Sequence, residues 1–175
     1  MAIEHIYGFN AVMSAIRLHS RHRIHKLMVY HKPPENPKLT PSEGQARMAG
    51  ILKAANDNKV PIQYCSKREL DGFAQDRPHQ NVILEAASVR LPKAIEFPQK
   101  GKNLLLHSVV DPQNLGSILR TALLMSVEGI YLSGTCSPLT PVVAKASSGA
   151  LEELIVGKRL FEVTSLSEFF ANHQQ

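Results

Sequence analysis

Residues 103–125 (NLLLHSVVDPQNLGSILRTALLM) decide the fold class of this chain. The apolar run at 103–110 predicts a buried strand, and the polar residues at 111–116 predict a turn. From residue 115 to 125 apolar side chains recur at helical spacing, which predicts a helix with one core-facing stripe: Leu115, Ile118, Leu119, Ala122 and Leu123. A strand that passes through a short turn into a helix is the building unit of a parallel α/β sheet.

The residues that follow repeat this alternation. We expect strands at 129–133 and 154–156, a helix at 140–150, and a last helix that begins with Ser165 and Glu168. A sheet of only three parallel strands leaves an apolar edge and an apolar face uncovered. We therefore expect this second domain, residues 103–175, to be incomplete.

The first half predicts a separate β/α sandwich, residues 1–87. A helix at 8–19 and strands at 24–30, 60–65 and 79–87 contain most of its apolar residues. Thr40, with Pro41 and Glu43 after it, is the expected start of one helix, and Ser66 with Glu69 that of another. Residues 88–102 contain two prolines and no sustained periodicity, so we expect them to link the two domains.

Composition excludes several classes of protein. Of the 175 residues 43% are hydrophobic, and the 11 prolines and 10 glycines are an ordinary number, which excludes a disordered or fibrous chain. No apolar run approaches the roughly 20 residues of a membrane helix, and two cysteines cannot build a disulfide framework. We expect an intracellular protein with no membrane partner and no bound metal.

The charge is distributed unevenly along the chain. Residues 1–90 contain 13 lysines and arginines against 8 aspartates and glutamates, whereas residues 91–175 contain 7 of each. A basic first half favours a polyanion such as nucleic acid, although a solvated surface with a chance imbalance explains the same counts.

The turn at 111–116 is the candidate site of chemistry, because ligands of open α/β sheets bind at the carboxyl ends of the strands. Gly116, Ser117 and Arg120 share one face of the predicted helix. A glycine allows close backbone approach, and an arginine offers a planar, charged fork that suits phosphate. The spacing alone leaves open a capped helix with one solvated arginine.

These residues resemble a known family. Residues 114–122 (NLGSILRTA) are similar to the first signature motif of the SpoU (TrmH) family of RNA ribose 2′-O-methyltransferases. Further stretches agree in the same order, namely 7–12 (YGFNAV), 79–82 (HQNV), 137–141 (SPLTP) and 145–152 (KASSGALE). The resemblance spans almost the whole chain and is strongest to the bacterial 23S and mitochondrial large-subunit rRNA guanosine-2′-O-methyltransferases.

The resemblance implies an α/β protein with an N-terminal L30e-like substrate-binding domain and a SPOUT (α/β knot) methyltransferase domain. It also implies S-adenosylmethionine as the methyl donor, RNA as the substrate and a homodimer as the complete form. Arg120 corresponds to the arginine implicated in activating the ribose 2′-hydroxyl, and Asn114 to the asparagine that helps to place the substrate. Because an arginine is a poor base, positioning is the role we expect for Arg120.

The sequence departs from the family pattern in two respects. The family's second and third motifs, which form the knot and most of the donor pocket, have no counterpart in these 175 residues, so we expect a C-terminally truncated chain without assignable donor-binding residues. Asn81 stands where the family has glycine, although asparagine also tolerates a left-handed backbone.

Several basic residues are candidates for RNA contact. Arg21 and Arg23 lie in a histidine-rich loop (HSRHRIH, 19–25), Lys67 and Arg68 open a predicted helix, and Ser117 lies on the motif helix. Each has a simpler interpretation as solvated surface. His79 has two interpretations as well, a buried strand histidine or an RNA contact.

Three hypotheses follow from the sequence. The first is a methyltransferase of large-subunit rRNA, the second an RNA-binding protein without catalysis, and the third a fragment without function. The resemblance favours a mitochondrial location, with cytoplasm or plastid as alternatives, and residues 1–5 resemble neither a signal peptide nor an arginine-rich leader.

Overall fold

The apolar runs of the first half form one mixed sheet. A computed structural model describes residues 2–30, 42–94 and 101–173, and it divides into two units, Met1–Ser88 and Val89–Gln175. The first unit contains strands β1 (Ile3–Tyr7), β2 (Ile24–Tyr30), β3 (Ile62–Cys65) and β4 (Val82–Ala87), and helices α1 (Phe9–Leu18), α2 (Glu43–Asp57) and α3 (Lys67–Ala74).

The sheet of the first unit has the order β1-β4-β2-β3. Strand β4 is antiparallel to both neighbours, whereas β2 and β3 are parallel. Strand β4 is buried along most of its length, because it lies in the interior of the sheet and side chains cover both of its faces. One face packs on a cluster that includes Met28, Leu70 and Ile83.

Two details of the first unit correct the sequence predictions. Strand β1 was not predicted, because its partner β4 lies about eighty residues away and short local periodicity does not reveal such pairing. Helix α2 begins after Ser42, which forms a capping box with Gln45. The expected cap Thr40 is therefore wrong, and Thr40 and Pro41 lie outside the described residues. The predicted capping box of Ser66 and Glu69 is confirmed.

The second unit is a parallel sheet with helices between its strands. Its elements are β5 (Asn103–His107), α4 (Pro112–Leu124), β6 (Gly129–Ser133), α5 (Pro141–Ala146), α6 (Ala150–Val156), β7 (Leu160–Val163) and α7 (Leu166–His173). The strands have the order β5-β6-β7 and both pairs are parallel, as the strand–turn–helix pattern predicts.

The third predicted strand was misplaced. Residues 154–156 lie in α6, because a new helix starts after Gly149, which has φ of 97°. Leu151 and Leu154 of this helix are buried. The third strand is β7, where Leu160 and Val163 are buried. A run of leucine, isoleucine and valine fits a helix or a strand equally well, and here the helix start at Gly149 determines that the run is helical.

The described part of the expected linker has a defined structure. Lys93 forms a parallel bridge with Glu162 of β7, and Glu162 also bonds through its backbone to Pro92 and Ala94 at 2.9 Å. Residues 92–94 thus extend the sheet of the second unit by one short segment, and residues 95–100 lie outside the described part. None of the described helices has the length and apolar character required to cross a bilayer.

Candidate active site and RNA-contacting residues

The first turn of α4 is held by the residue before it. Asp111 Oδ1 accepts a hydrogen bond from the Asn114 backbone N–H at 2.7 Å, and Pro112 occupies the first helical turn. This cap fixes the start of α4 directly after the short turn that leaves β5. Asn114 therefore lies at the carboxyl edge of the parallel sheet, where α/β proteins bind their ligands.

Helix α4 has one buried and one exposed face. Leu115, Gly116, Leu119 and Ala122 are buried. Asn114, Ser117 and Arg120 are exposed, and the side chains of Asn114 and Arg120 make no hydrogen bond or ion pair with any residue that the structure describes. The polar members of the motif are thus available to a ligand.

Gly116 does not belong to the exposed face, contrary to the prediction from spacing. A Cβ atom built there would lie 2.5 Å from Ala146 Cβ and 2.8 Å from the Val143 carbonyl oxygen. The glycine therefore allows α5 to pack closely against α4 rather than a ligand to approach. Ser117 and Arg120 remain together, one helical turn apart.

The carboxyl ends of β5 and β6 carry a polar network that sequence reasoning missed. His107 Nδ1 lies 3.0 Å from Ser133 Oγ, and the Ser108 backbone N–H donates to the Ser133 carbonyl at 3.0 Å. Cys136 Sγ lies 3.2 Å from that same carbonyl oxygen. The sequence pattern that could have revealed this network is a histidine and a serine at the ends of two adjacent parallel strands.

The predicted RNA-binding arginines of the first unit differ in their surroundings. Arg21 is buried, with its side chain 1% exposed, and its guanidinium pairs with Glu4. Arg23 is exposed, and its side chain makes no hydrogen bond or ion pair with the residues that the structure describes. The expectation that Arg21 contacts RNA therefore conflicts with the structure, because its guanidinium is buried and paired with Glu4.

Lys67 and Arg68 are exposed in the first turn of α3. The Ser66 hydroxyl and backbone N–H both donate to Glu69 at 2.7 Å and hold the pKa of that carboxyl below its usual value. Because β2 and β3 are parallel, Arg23 precedes the amino end of β2 whereas Lys67 follows the carboxyl end of β3. The two basic positions thus lie at opposite ends of the sheet rather than in one patch.

His79 has a structural role. Its Nε2 lies 2.9 Å from Asp71 Oδ1, and its Nδ1 accepts the Asn81 backbone N–H at 3.0 Å. Gln80 Oε1 accepts the Phe9 backbone N–H and so caps α1, which has no side-chain cap of its own. Asn81 adopts φ of 63°, the left-handed conformation that a glycine would take.

No cluster of three or more potential metal ligands occurs among residues 2–30, 42–94 and 101–173. A pocket of about 400 Å³ in the second unit is lined by residues 89–92 and by Ile155, Lys158, Leu160 and Phe161. The polar face of α4 does not line it.

Two family models match the chain, and they meet within a few residues of the boundary between the two units. Residues 5–92 match a model described as RNA 2′-O ribose methyltransferase substrate binding, and residues 101–175 match the SpoU rRNA methylase family.

Curated relatives agree with these matches. A Staphylococcus saprophyticus protein named for the TrmH family of tRNA/rRNA methyltransferases is 37% identical over 159 residues, which cover 86% of this chain and 59% of the relative. The mitochondrial rRNA methyltransferase 1 of Dictyostelium discoideum is 30% identical over 140 residues, 62% of this chain and 26% of the relative. The chain therefore spans less than two thirds of these relatives.

Solved structures show the same fold. An AdoMet-bound rRNA methyltransferase from Sinorhizobium meliloti aligns over 98% of this chain and 57% of its own, with a TM-score of 0.65 and 18% identity. The SpoU methyltransferase AviRb from Streptomyces viridochromogenes, solved with AdoMet, aligns over 94% of this chain and 56% of its own, with a TM-score of 0.65 and 14% identity. Two family models in sequence, a relative at 37% identity and a shared fold lead to one conclusion: the chain belongs to the SpoU (TrmH) family of RNA methyltransferases.

Proposed function

We propose that the protein transfers a methyl group from S-adenosylmethionine to a ribose 2′-hydroxyl of a guanosine in large-subunit rRNA. One observation carries the proposal. The polar residues of the motif, Asn114 and Arg120, are exposed on the helix at the carboxyl edge, and their side chains make no hydrogen bond or ion pair with the described residues, while their apolar neighbours hold the helix in place. Their hydrogen-bonding groups are therefore available to a phosphate-bearing ligand.

Arg120 positions the RNA in this proposal. A guanidinium keeps its proton in proteins and binds phosphate through two parallel hydrogen bonds. Held on a capped helix, it fixes the ribose next to the bound phosphate and offsets negative charge that develops on the 2′ oxygen. Asn114 and Ser117 supply neutral hydrogen-bonding groups on the same exposed surface.

The first unit supplies the remaining RNA contacts. Arg23, Lys67 and Arg68 are exposed cations, whereas Arg21 is excluded because it is paired inside the unit. Lys67 and Arg68 lie in the first turn of α3, where the helix dipole disfavours positive charge. Their position is unfavourable for the helix alone and therefore supports a role in binding a polyanion.

The methyl donor has one matching group in the described residues. Thr140 Oγ1 is buried in the loop between β6 and α5 and has no hydrogen-bond partner among them. A hydroxyl at the carboxyl edge suits a polar group of a nucleoside, so we assign it to the donor's side of the site. When bound, S-adenosylmethionine supplies an electrophilic methyl group. Other donor-binding residues are unassigned, since the family's later motifs have no counterpart in residues 1–175.

The oligomeric state and the cellular compartment of the protein are also proposals. We propose a homodimer, which the family resemblance implies, and a mitochondrial location, which the Dictyostelium discoideum relative supports. The staphylococcal relatives favour a cytoplasmic location instead, and fluorescence imaging of the tagged protein decides between the two.

The second candidate is an RNA-binding protein without catalysis. The net positive charge lies entirely in residues 1–90, and the first unit has its own sheet and core. This candidate predicts salt-dependent RNA affinity with no methyl transfer.

The deciding experiment measures both properties. Transfer of a radiolabelled methyl group to undermethylated large-subunit rRNA is expected for the wild type, with a loss of about 100-fold or more in Arg120→Ala because the ribose is misplaced. Lys102→Ala removes an exposed cation of the second unit next to the amino end of β5, at the opposite edge of the sheet, and should leave the rate unchanged. Equal rates for wild type and Arg120→Ala contradict the positioning role, and RNA binding without any transfer by the wild type favours the second candidate.

A further inference from the structure

His107 is an exposed histidine at the carboxyl edge of the second unit's sheet. It is the last residue of β5, and only residues 108–111 separate it from α4. Strand ends and the following helix start share this edge, so His107 and the exposed motif residue Asn114 belong to the same side of the unit. The family motif does not include His107.

The hydrogen bonds around His107 are compatible with a proton on Nδ1. Ser133 Oγ lies 3.0 Å from His107 Nδ1 and 3.3 Å from the Leu106 carbonyl oxygen, so a hydroxyl that donates to the carbonyl leaves its lone pairs to accept the Nδ1–H of His107. Ser133 is buried, with 2% of its surface exposed, and does not exchange this partner for bulk water. In this arrangement Nε2 carries a lone pair and no proton when the ring is neutral.

The position of the ring is fixed as well. A Cβ atom built on Gly134, which has φ of +64°, would lie 2.7 Å from His107 Cε1 and 2.9 Å from Nδ1. Only a glycine leaves this space, and the imidazole occupies it. A histidine held by a buried hydroxyl on one nitrogen, with the other nitrogen free, has the geometry of an oriented general base.

The proposed reaction needs such a base. Neither the guanidinium of Arg120 nor the amide of Asn114 takes up a proton at neutral pH. Two titratable groups in the segments that follow β5 and β6 already have partners: Asp111 Oδ1 caps α4, and Cys136 Sγ contacts the carbonyls of Leu106 and Ser133. Imidazole is the side chain most often used for general acid–base catalysis.

We infer that His107 is the proton acceptor for the ribose 2′-hydroxyl, an inference that rests on the proposed methyl transfer. The 2′-O–H proton moves to His107 Nε2 as the 2′ oxygen forms a bond with the methyl carbon of the sulfonium donor. The carbon–sulfur bond breaks and its electron pair stays on sulfur, which leaves S-adenosylhomocysteine. The imidazolium then returns its proton to water.

The geometry is tested without catalysis. A long-range ¹H–¹⁵N correlation spectrum of the 175-residue chain, recorded at a pH where its histidines are neutral, should show His107 with the proton on Nδ1. Ser133→Ala should abolish this preference, because the acceptor of the Nδ1 proton is removed. A wild-type spectrum with the proton on Nε2 overturns the inference, since the exposed nitrogen would then have no lone pair to offer.

The chemistry is tested in the methyl-transfer assay. His107→Ala is expected to lower the rate by about 100-fold or more with RNA affinity unchanged, and added imidazole should restore part of the rate. Glu153→Ala, an exposed change in the same unit, serves as the control. A fully active His107→Ala overturns the role of His107 and leaves the proposed function standing. A wild type that transfers no methyl group to rRNA removes the proposed function and the role of His107 with it.

Discussion

At the scale of single residues, two nearby arginines show that residue type does not decide role. Arg21 and Arg23 are two positions apart in a basic loop, and no local sequence feature distinguishes them. In the structure the Arg21 side chain is 1% exposed and paired with Glu4, whereas Arg23 is exposed. The partner of Arg21 comes from β1, the strand that local periodicity does not reveal, so the difference could not be read from the loop.

The two arginines therefore predict opposite phenotypes. Arg21→Ala removes the buried guanidinium that pairs with Glu4 and should lower the free energy of unfolding by about 3 kcal/mol. Arg23→Ala should change stability by no more than about 0.5 kcal/mol and reduce the salt dependence of RNA binding by about one charge. Urea denaturation and RNA affinity at several salt concentrations measure the two effects. A stable Arg21→Ala with a reduced salt dependence contradicts this assignment.

At the scale of secondary-structure elements, local sequence patterns predicted those helices and strands that neighbouring residues determine. Strands β5 and β6 and helix α4 follow from apolar periodicity, and the Ser66–Glu69 capping box follows from a four-residue pattern. Prediction failed where a strand far along the chain or the start of a neighbouring helix determines the structure. Strand β1 needs β4, and residues 154–156 became part of α6 because the preceding Gly149 starts a helix there.

The packing of α4 on α5 gives a prediction at this scale. Gly116→Ala places a methyl group 2.5 Å from Ala146 Cβ, so the helices must separate, and the free energy of unfolding should fall by about 1–3 kcal/mol. Gly72→Ala is the matched control in α3, since nothing lies within 4 Å of the added atom, and it should stabilise the chain by about 0.5–1 kcal/mol. Urea denaturation of both variants measures the difference. A neutral Gly116→Ala means that the glycine serves something other than close packing.

At the scale of the whole molecule, two units that each have their own sheet agree with the two family models. Fold class and family could be predicted because several motifs occur in a fixed order, which is more specific than any one of them. The polar network of His107 and Ser133 could not be predicted, because it forms between two strand ends that are 26 residues apart. In the sequence, His107 and Ser133 resemble ordinary strand residues, and only the pairing of β5 with β6 places them next to each other.

The most direct test of the central claim is a map of ribose 2′-O-methylation along large-subunit rRNA from cells with and without this gene. The proposed function predicts that methylation of a guanosine ribose is lost when the gene is removed. It should return with the wild-type gene and not with Arg120→Ala, since that variant keeps the fold and lacks the positioning group. A map that is identical in the presence and absence of the gene contradicts the claim that this protein methylates large-subunit rRNA.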